Sequence, residues 1–400
     1  MVVFKHEDGT YTSFWNEPQE LIDFVEANSE CLFFGFNSSR YDQYILKAIV
    51  AGCEPPEVKE VNDWIIGTDN QPWEHPYLQN FLYSFNDVDL MKDTQIGTSL
   101  KSIEGHAGMS VEESSVPFDI NRKLTEEERV EVEKYCRHDV DATEKLLEIR
   151  RDYILTKANL GERAGLDVTK AVALTNAKLT AAVLKADREE HDDERQYTYP
   201  DNLLLEYIPP EVVEFFDRMK DEDIPDEELW SSKLQITVGG CPVTLGFGGI
   251  HGALPKFRSQ ACEGTKLVNA DVASYYPSLM VKNGYSSRNI PDPSVFEDIY
   301  TERLEAKAAG DKATANALKL IVNTTYGATL NQYNDLYDPL MARSVCISGQ
   351  LYLLELACHL TERLGNDMEL VQLNTDGILV GLLDSAVEGF DEICAEWQER

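Results

Sequence analysis

The segment ELVQLNTDGILVGLL, residues 369–383, constrains the fold more than any other stretch. Two apolar, β-rich runs meet there at Asp376 and Gly377, and an Asp-Gly pair between such runs is a strong hairpin signal. A second apolar run, LVNADVASYYPS (267–278), carries a strand that ends at Asp271, which puts a carboxylate at the strand's edge. If these strands pair, the carboxylates of Asp271 and Asp376 converge. Magnesium takes oxygen ligands and binds through one or two carboxylates plus substrate phosphates, so two such acids suffice for a two-ion site. Taken singly, each feature is commonplace, and the weight rests on what lies between them.

Between them stands YTERLEAKAAGDKATANALKLIVNTTYG, residues 300–327. Arg303 and Lys307 are four apart, hence on one helical face, and Lys319, Asn323 and Tyr326 follow at i, i+4 and i+7 on the next helix. With Gly310 as the turn, two antiparallel helices would present three cations to one cleft. The bland alternative for Arg303 and Lys307 is a solvated charged face stapled by Glu-Lys pairs.

The three segments in this order resemble family B DNA polymerases of the kind tailed phages carry. DVASYYPS matches the family's motif A (DxxSLYPS), KLIVNTTYG matches motif B (KxxxNSxYG), and NTDG occupies the place of motif C (DTDS). The resemblance implies that Asp271 and Asp376, with the backbone carbonyl of Val272, hold two magnesium ions. It further implies that Arg303, Lys307, Lys319 and Asn323 bind the incoming triphosphate. Tyr276 corresponds to the tyrosine on which the sugar stacks and against which a 2′-hydroxyl would clash. Tyr326 and Gly327 would lie against the nascent base pair. Motif C departs from the pattern at Asn374 and Gly377, which removes one negative charge but keeps the second aspartate, the family's metal ligand. Only 48 positions separate Asp271 from Lys319, leaving little room for the insertion of protein-primed phage polymerases, so ordinary primer extension is expected.

Upstream, FNSSRYD (Asn37 to Asp42) and YCRHD (Tyr135 to Asp139) resemble the family's second and third exonuclease motifs. A capping box, Thr125-x-x-Glu128, opens the helix that carries Tyr135 and Asp139 four apart on one face. By the resemblance Asp42 and Asp139 are metal ligands, Asn37 belongs to the same motif, and Tyr135 orients the attacking water. The first exonuclease motif, an Asp-x-Glu, is absent, because MVVFKHEDG reads as the strand after it. Proofreading is therefore expected to be lost, and the chain is expected to be cut short at both ends.

The expected fold is a multidomain mixture of α/β and α+β. Residues 1–150, with strands near 31–36 and 83–90, form an RNase H-like exonuclease domain lacking its first strand. Residues 151–234 are an acidic helical connector. Residues 235–400 are a family B palm with short helical fingers at about 292–327, an amphipathic helix over 342–364 and no thumb. The net charge of −35 opposes nucleic-acid binding, since phosphate recognition is chiefly electrostatic. Its distribution weakens the objection. Residues 256–345 hold ten Lys/Arg and ten Asp/Glu, whereas 187–230 hold 17 acidic against four basic side chains and read as solvated surface or linker. The eight cysteines form no CxxC pair, so neither zinc nor a disulfide framework is expected, and with no signal peptide or long apolar run the chain reads as cytoplasmic, in a host cytoplasm if phage-encoded. Expected partners are primer-template DNA, deoxynucleoside triphosphates and replication proteins, with no membrane. The competing reading is a truncated, non-catalytic remnant that binds primer-template without extending it; a stand-alone nuclease is disfavoured by the absent Asp-x-Glu.

Overall fold

The short apolar runs at the start of the chain pair as an antiparallel hairpin, β1 (Val2–Lys5) with β2 (Tyr11–Phe14), in which Val2 faces Phe14. The computed structural model describes residues 1–79, 85–94, 97–117, 120 and 122–400, which form two units, Met1–Leu179 and Thr180–Arg400.

In the first unit β3 (Phe33–Gly35) and β4 (Asp87–Asp89) pair in parallel. The strand expected over 83–90 begins outside the described residues, and its described part is β4. Aromatic rings supply the core beside the hairpin: Phe4 lies 4.9 Å from Phe24, and Phe33 lies 4.5 Å from Phe85, between ring centroids. Offset and edge contacts of this kind add to the burial of apolar area. The capping box is formed at the head of the 24-residue helix Glu126–Ile149, with the Glu128 amide donating to Thr125 Oγ1 and the Thr125 amide donating to Glu128 Oε2 at 2.8 Å.

The second unit is built on an antiparallel sheet of β5 (Lys233–Val238), β6 (Cys241–Gly246), β7 (His251–Ala253), β8 (Thr265–Asp271), β9 (Met368–Asn374) and β10 (Gly377–Leu383). Their order is β5-β6-β7-β9-β10-β8. The sequence-distant β8 thus becomes an edge strand beside the β9–β10 hairpin. Behind the sheet runs the helix Pro339–Leu364, where the structure corrects the expected amphipathic pattern: 20 of its 26 residues are buried. Several of its polar side chains are held inside by hydrogen bonds. Gln350 bridges the amide and carbonyl of Gly246, and the fully buried Glu355 accepts from the Leu204 amide and from Arg400.

The helices Arg151–Arg163 and Val168–Ala173, from the stretch expected to be a connector, lie in the first unit, and residues from Thr180 onward lie in the second. The acidic 187–230 stretch buries Tyr197, Val212, Phe216 and Leu229. Three arginines tether it. Arg195 donates to the Asp221 and Ile224 carbonyls, Arg288 joins Asp193 to the buried Asp338, and Arg343 donates to the Glu194 carbonyl at 2.6 Å. Charge repulsion in this stretch is thus offset locally by paired cations rather than by solvent alone.

Gly161 shows how close the packing is in the first unit: a methyl at this position would lie 2.1 Å from Ala171 Cβ. Gly161→Ala should therefore destabilise the first unit by about 1–3 kcal/mol through overpacking. Chemical denaturation followed by tryptophan fluorescence should show an earlier midpoint at unchanged slope, and an unchanged midpoint would mean the two helices separate at no penalty.

Candidate active site

The strand pairing decides how the two aspartates meet. Asp271, the last residue of β8, stands opposite Gly377, the first residue of β10, and the Val272 amide donates to the Asp376 carbonyl at 2.7 Å. The connection between β9 and β10 differs in detail from the sequence expectation. Asn374 pairs with Gly377, so the two-residue loop is Thr375–Asp376 and the glycine belongs to the strand. Gly377 is explained by proximity and not by a left-handed turn: a Cβ there would lie 2.3 Å from Asp271 Oδ1 and 3.0 Å from the Ala270 carbonyl. Both carboxylates are exposed. That of Asp271 accepts one hydrogen bond, from Asn269 Nδ2 at 3.0 Å, and that of Asp376 has no hydrogen-bond or ionic partner among the described residues. Asn374, which replaces motif C's first aspartate, accepts from Gln372 Nε2.

Two helices follow the expected layout beside this strand end. Ser294–Ala309 and Lys312–Thr329 pack together across a turn in which Gly310 adopts φ of 78°, a left-handed cap that favours glycine. Asp311 caps the second helix by accepting from the Thr314 amide. Lys307, Lys319 and Asn323 are exposed, and their side chains have no hydrogen-bond or ionic partner among the described residues. Arg303 departs from its expected exposure. It is 9% exposed and its Nη1 donates to Ser274 Oγ at 2.6 Å, while its Nε is buried without a partner. Ser274 itself holds φ of 54°, an uncommon backbone state for a non-glycine residue, at the head of the helix Tyr275–Lys282. Thus Arg303 braces the turn that leads out of β8.

Tyr276 and Tyr326 form an edge-to-face pair with centroids 4.5 Å apart. Burial raises the Tyr276 hydroxyl above its ordinary range, with the negative charge of Asp376 adding to the shift. Gly327, next on the same helix, is exposed.

The four candidates of the first unit sit on three elements. Asn37 takes φ of 59° just after β3, and its amide donates to Asp89 Oδ1 at 2.8 Å. Asp42 begins the helix Asp42–Val50; the protein packed on its inner side, then the carboxylates of Asp87 and Asp89, lift its pKa to about 6 although its outer side is open. Tyr135 and Asp139 share a helix face and a hydrogen bond, and Asp139 is also raised, first by burial and then by Glu104. Asp42 and Asp139 therefore have separate acidic neighbours. Asp87, Asp89 and Glu104 escaped the sequence reading, although Asp-x-Asp on a short strand was a visible signal. Asp89 is consumed structurally, since it accepts from the amides of Asn37, Ser39 and Met91 and from Ser39 Oγ.

No group of three or more His, Cys, Asp or Glu side chains among the described residues could hold a metal ion. The donor set at the β8 end is instead two open carboxylates beside the Val272 backbone. These are all hard oxygen donors, which suit magnesium when substrate phosphates complete its shell.

No protein-family model matches the chain. No curated protein matches it either. Among solved structures, the family B DNA polymerase from the hyperthermophilic archaeon Pyrobaculum calidifontis is similar to this chain with a TM-score of 0.50 and 16% identity, over 100% of this chain and 52% of that one. The chain thus spans about half the length of that polymerase, and its mixed α/β, multidomain architecture has a family B polymerase-like fold.

Proposed function

We propose that the chain carries the nucleotidyl-transfer site of a DNA-directed DNA polymerase, in which a primer 3′-hydroxyl attacks the α-phosphate of a deoxynucleoside triphosphate and pyrophosphate leaves. The observation that carries the reading is the pair of open carboxylates, Asp271 and Asp376, at one strand end, in a unit whose adjoining helix pair leaves Lys307 and Lys319 without carboxylate partners among the described residues. Surplus cations beside surplus carboxylates suit a substrate that brings both phosphates and a divalent ion.

Asp271, Asp376 and the Val272 carbonyl would hold magnesium, which when bound supplies charge stabilisation and activation of the attacking oxygen. The chain's own residues do the rest. Lys307 and Lys319 offset phosphate charge, with Asn323 one turn beyond Lys319 as a neutral donor. Arg303 keeps the turn at Ser274 in place, a positioning task different from the direct triphosphate contact the motif implies. Tyr276 presents its ring to the sugar and excludes a 2′-hydroxyl, while Tyr326 and Gly327 line the base-pair side. Primer-template DNA, deoxynucleoside triphosphates and replication proteins are the partners under this reading, and a tailed-phage lineage rests on the sequence motifs alone. The first unit is read as 3′-5′ exonuclease-like through Asn37, Asp42, Tyr135 and Asp139. No helix among the described residues is long and apolar enough to cross a membrane.

The direct test is single-nucleotide incorporation by the purified chain on a labelled primer-template with magnesium. Incorporation lost in Asp376→Asn by roughly 10²-fold or more, the scale set by losing several kcal/mol of transition-state stabilisation, supports the reading. Primer-template binding without any incorporation by the unaltered chain would overturn it in favour of a non-catalytic binding protein.

Tyr276→Ala should lower the preference for deoxynucleotide over ribonucleotide by roughly tenfold or more, since the clash with one small group is removed. An unchanged ratio in competition assays would show that Tyr276 does not police the sugar.

Gly377→Ala should leave folding intact yet raise the magnesium concentration needed for half-maximal incorporation by roughly 10-fold, the scale of displacing a ligand's supporting geometry. The reason is that Asp271 must rotate away from the added methyl. A magnesium titration superposing on that of the unaltered chain would exclude this.

A further inference from the structure

The tyrosine that the proposed function sets against the sugar lies on the Tyr275–Lys282 helix, but its seat is made by another element. A Cβ at Gly349, in the middle of the buried Pro339–Leu364 helix, would lie 3.2 Å from Leu279 Cδ1, 3.3 Å from Tyr276 Cε1 and 3.4 Å from Tyr275 Cε1. The same residue's carbonyl accepts the Tyr275 hydroxyl at 2.7 Å, inside the protein. Gly349 is therefore pressed on by two successive aromatic rings and bonded to one of them. Glycine in a helix interior lowers helix stability by roughly 0.5–1 kcal/mol relative to alanine, so its presence here calls for a packing reason.

One turn earlier on the same helix, Cys346 is 3% exposed and its thiol donates to the Gly248 carbonyl at 2.8 Å while accepting from Gln350 Nε2. It also stands within hydrogen-bonding reach of Tyr326, the edge-to-face partner of Tyr276. Gln350, next to Gly349, holds both the amide and the carbonyl of Gly246. The loop after Gly246 then meets the other side of the site, because a Cβ on Gly249 would lie 2.1 Å from Thr375 Oγ1, in the turn that carries Asp376. Residues 346, 349 and 350 thus form a stripe at i, i+3 and i+4 that touches both tyrosines and, through the glycine loop, the aspartate turn.

We propose that Gly349 is a specificity-determining position for the nucleotide sugar, acting as a positioning residue whose missing side chain lets the Tyr276 ring rest against the buried helix. The inference rests on the polymerase reading above. A methyl at 349 has rigid partners, since Leu279 and Tyr275 are buried and Tyr275 is hydrogen-bonded. Tyr276 is half-buried and its ring is the neighbour free to give. The ring then shifts by a few tenths of an ångström away from the helix and narrows the space left for a sugar.

The test uses Gly349→Ala in the full chain. Isothermal titration with dATP and with ATP in the presence of magnesium gives the sugar readout. NMR of ring-labelled tyrosine gives a structural readout independent of nucleotide. The expected result is a displaced Tyr276 resonance and a dATP affinity lowered by roughly tenfold, the order that one methyl-sized change produces in a pocket. A merely structural role would lower thermal stability and leave the affinities alone. If the unaltered chain prefers dATP but the variant binds both nucleotides within twofold of it, the inference fails and the polymerase reading stands. If the unaltered chain shows no preference, the polymerase reading fails, and an unmoved Tyr276 resonance sinks the seat by itself. Should Gly349→Ala not fold, Cys346→Ala tests the same stripe from beneath Tyr326: a loosened ring pair and a smaller dATP-to-ATP preference are expected, and an unchanged preference overturns the proposal.

Discussion

The antiparallel pairing of β8 with β10 is the interaction on which the candidate site depends. Ladder hydrogen bonds from the Thr265/Leu383 pair to the Asp271/Gly377 pair set the register, and a slip by one residue would turn every side chain of β8 to the opposite face. With Asp271 opposite Gly377, one strand end and one tight turn deliver two carboxylates to the same edge of the sheet. The glycine matters because it has no Cβ where Asp271 needs room. The same device recurs nearby at Gly249, whose bare Cα lets the glycine loop approach Thr375.

Support comes from behind, from a helix that is polar in unexpected places and still buried. Arg343, Ser344, Ser348, Gln350 and Glu355 all lie inside. A buried polar group left unpaired would destabilise the fold by about 1–3 kcal/mol, so each partner found here also ties the helix to a definite neighbour. Gln350 joins it to β6, Glu355 to the 202–204 loop and the last residue, and Arg343 to the acidic 187–230 stretch. Burial pushes the Cys346 thiol up to about 12, which keeps it a neutral donor to Gly248 in the middle of this network.

Electrostatics explains how so acidic a chain can still keep a cationic face. The acidic stretch is offset in part by Arg195 within it and by Arg288 and Arg343 from outside it, each held against backbone carbonyls or buried acids. Those pairings occupy cations that sequence counting treats as free. Lys307 and Lys319 stay open for a geometric reason, because helix spacing carries them onto a face where no carboxylate of the described residues reaches them.

The sequence by itself determined the local elements whose cause is local: the capping box at Thr125, the cap at Gly310, the β9–β10 hairpin and the i, i+4 faces of Arg303–Lys307 and Lys319–Asn323. Each depends on backbone donors, turn chemistry or helical period within a few residues, so it was legible in one dimension. The placing of Asp271 and Asp376 at one end of the β8–β10 pair was legible only as a condition on strand pairing. Tertiary structure decided the rest. It turned the helix over 342–364 from an amphipathic surface element into a buried one, in which Arg343, Gln350 and Glu355 have partners far away in sequence. It withdrew Arg303 from the surface to brace Ser274, packed the acidic 187–230 stretch into the second unit, and brought Asp42 within the field of Asp87 and Asp89. It also decided the turn itself, placing Gly377 in the strand and not at the tip. In every one of these cases the deciding partner is remote in the chain, and burial or close approach to a remote residue leaves no periodic trace in the sequence.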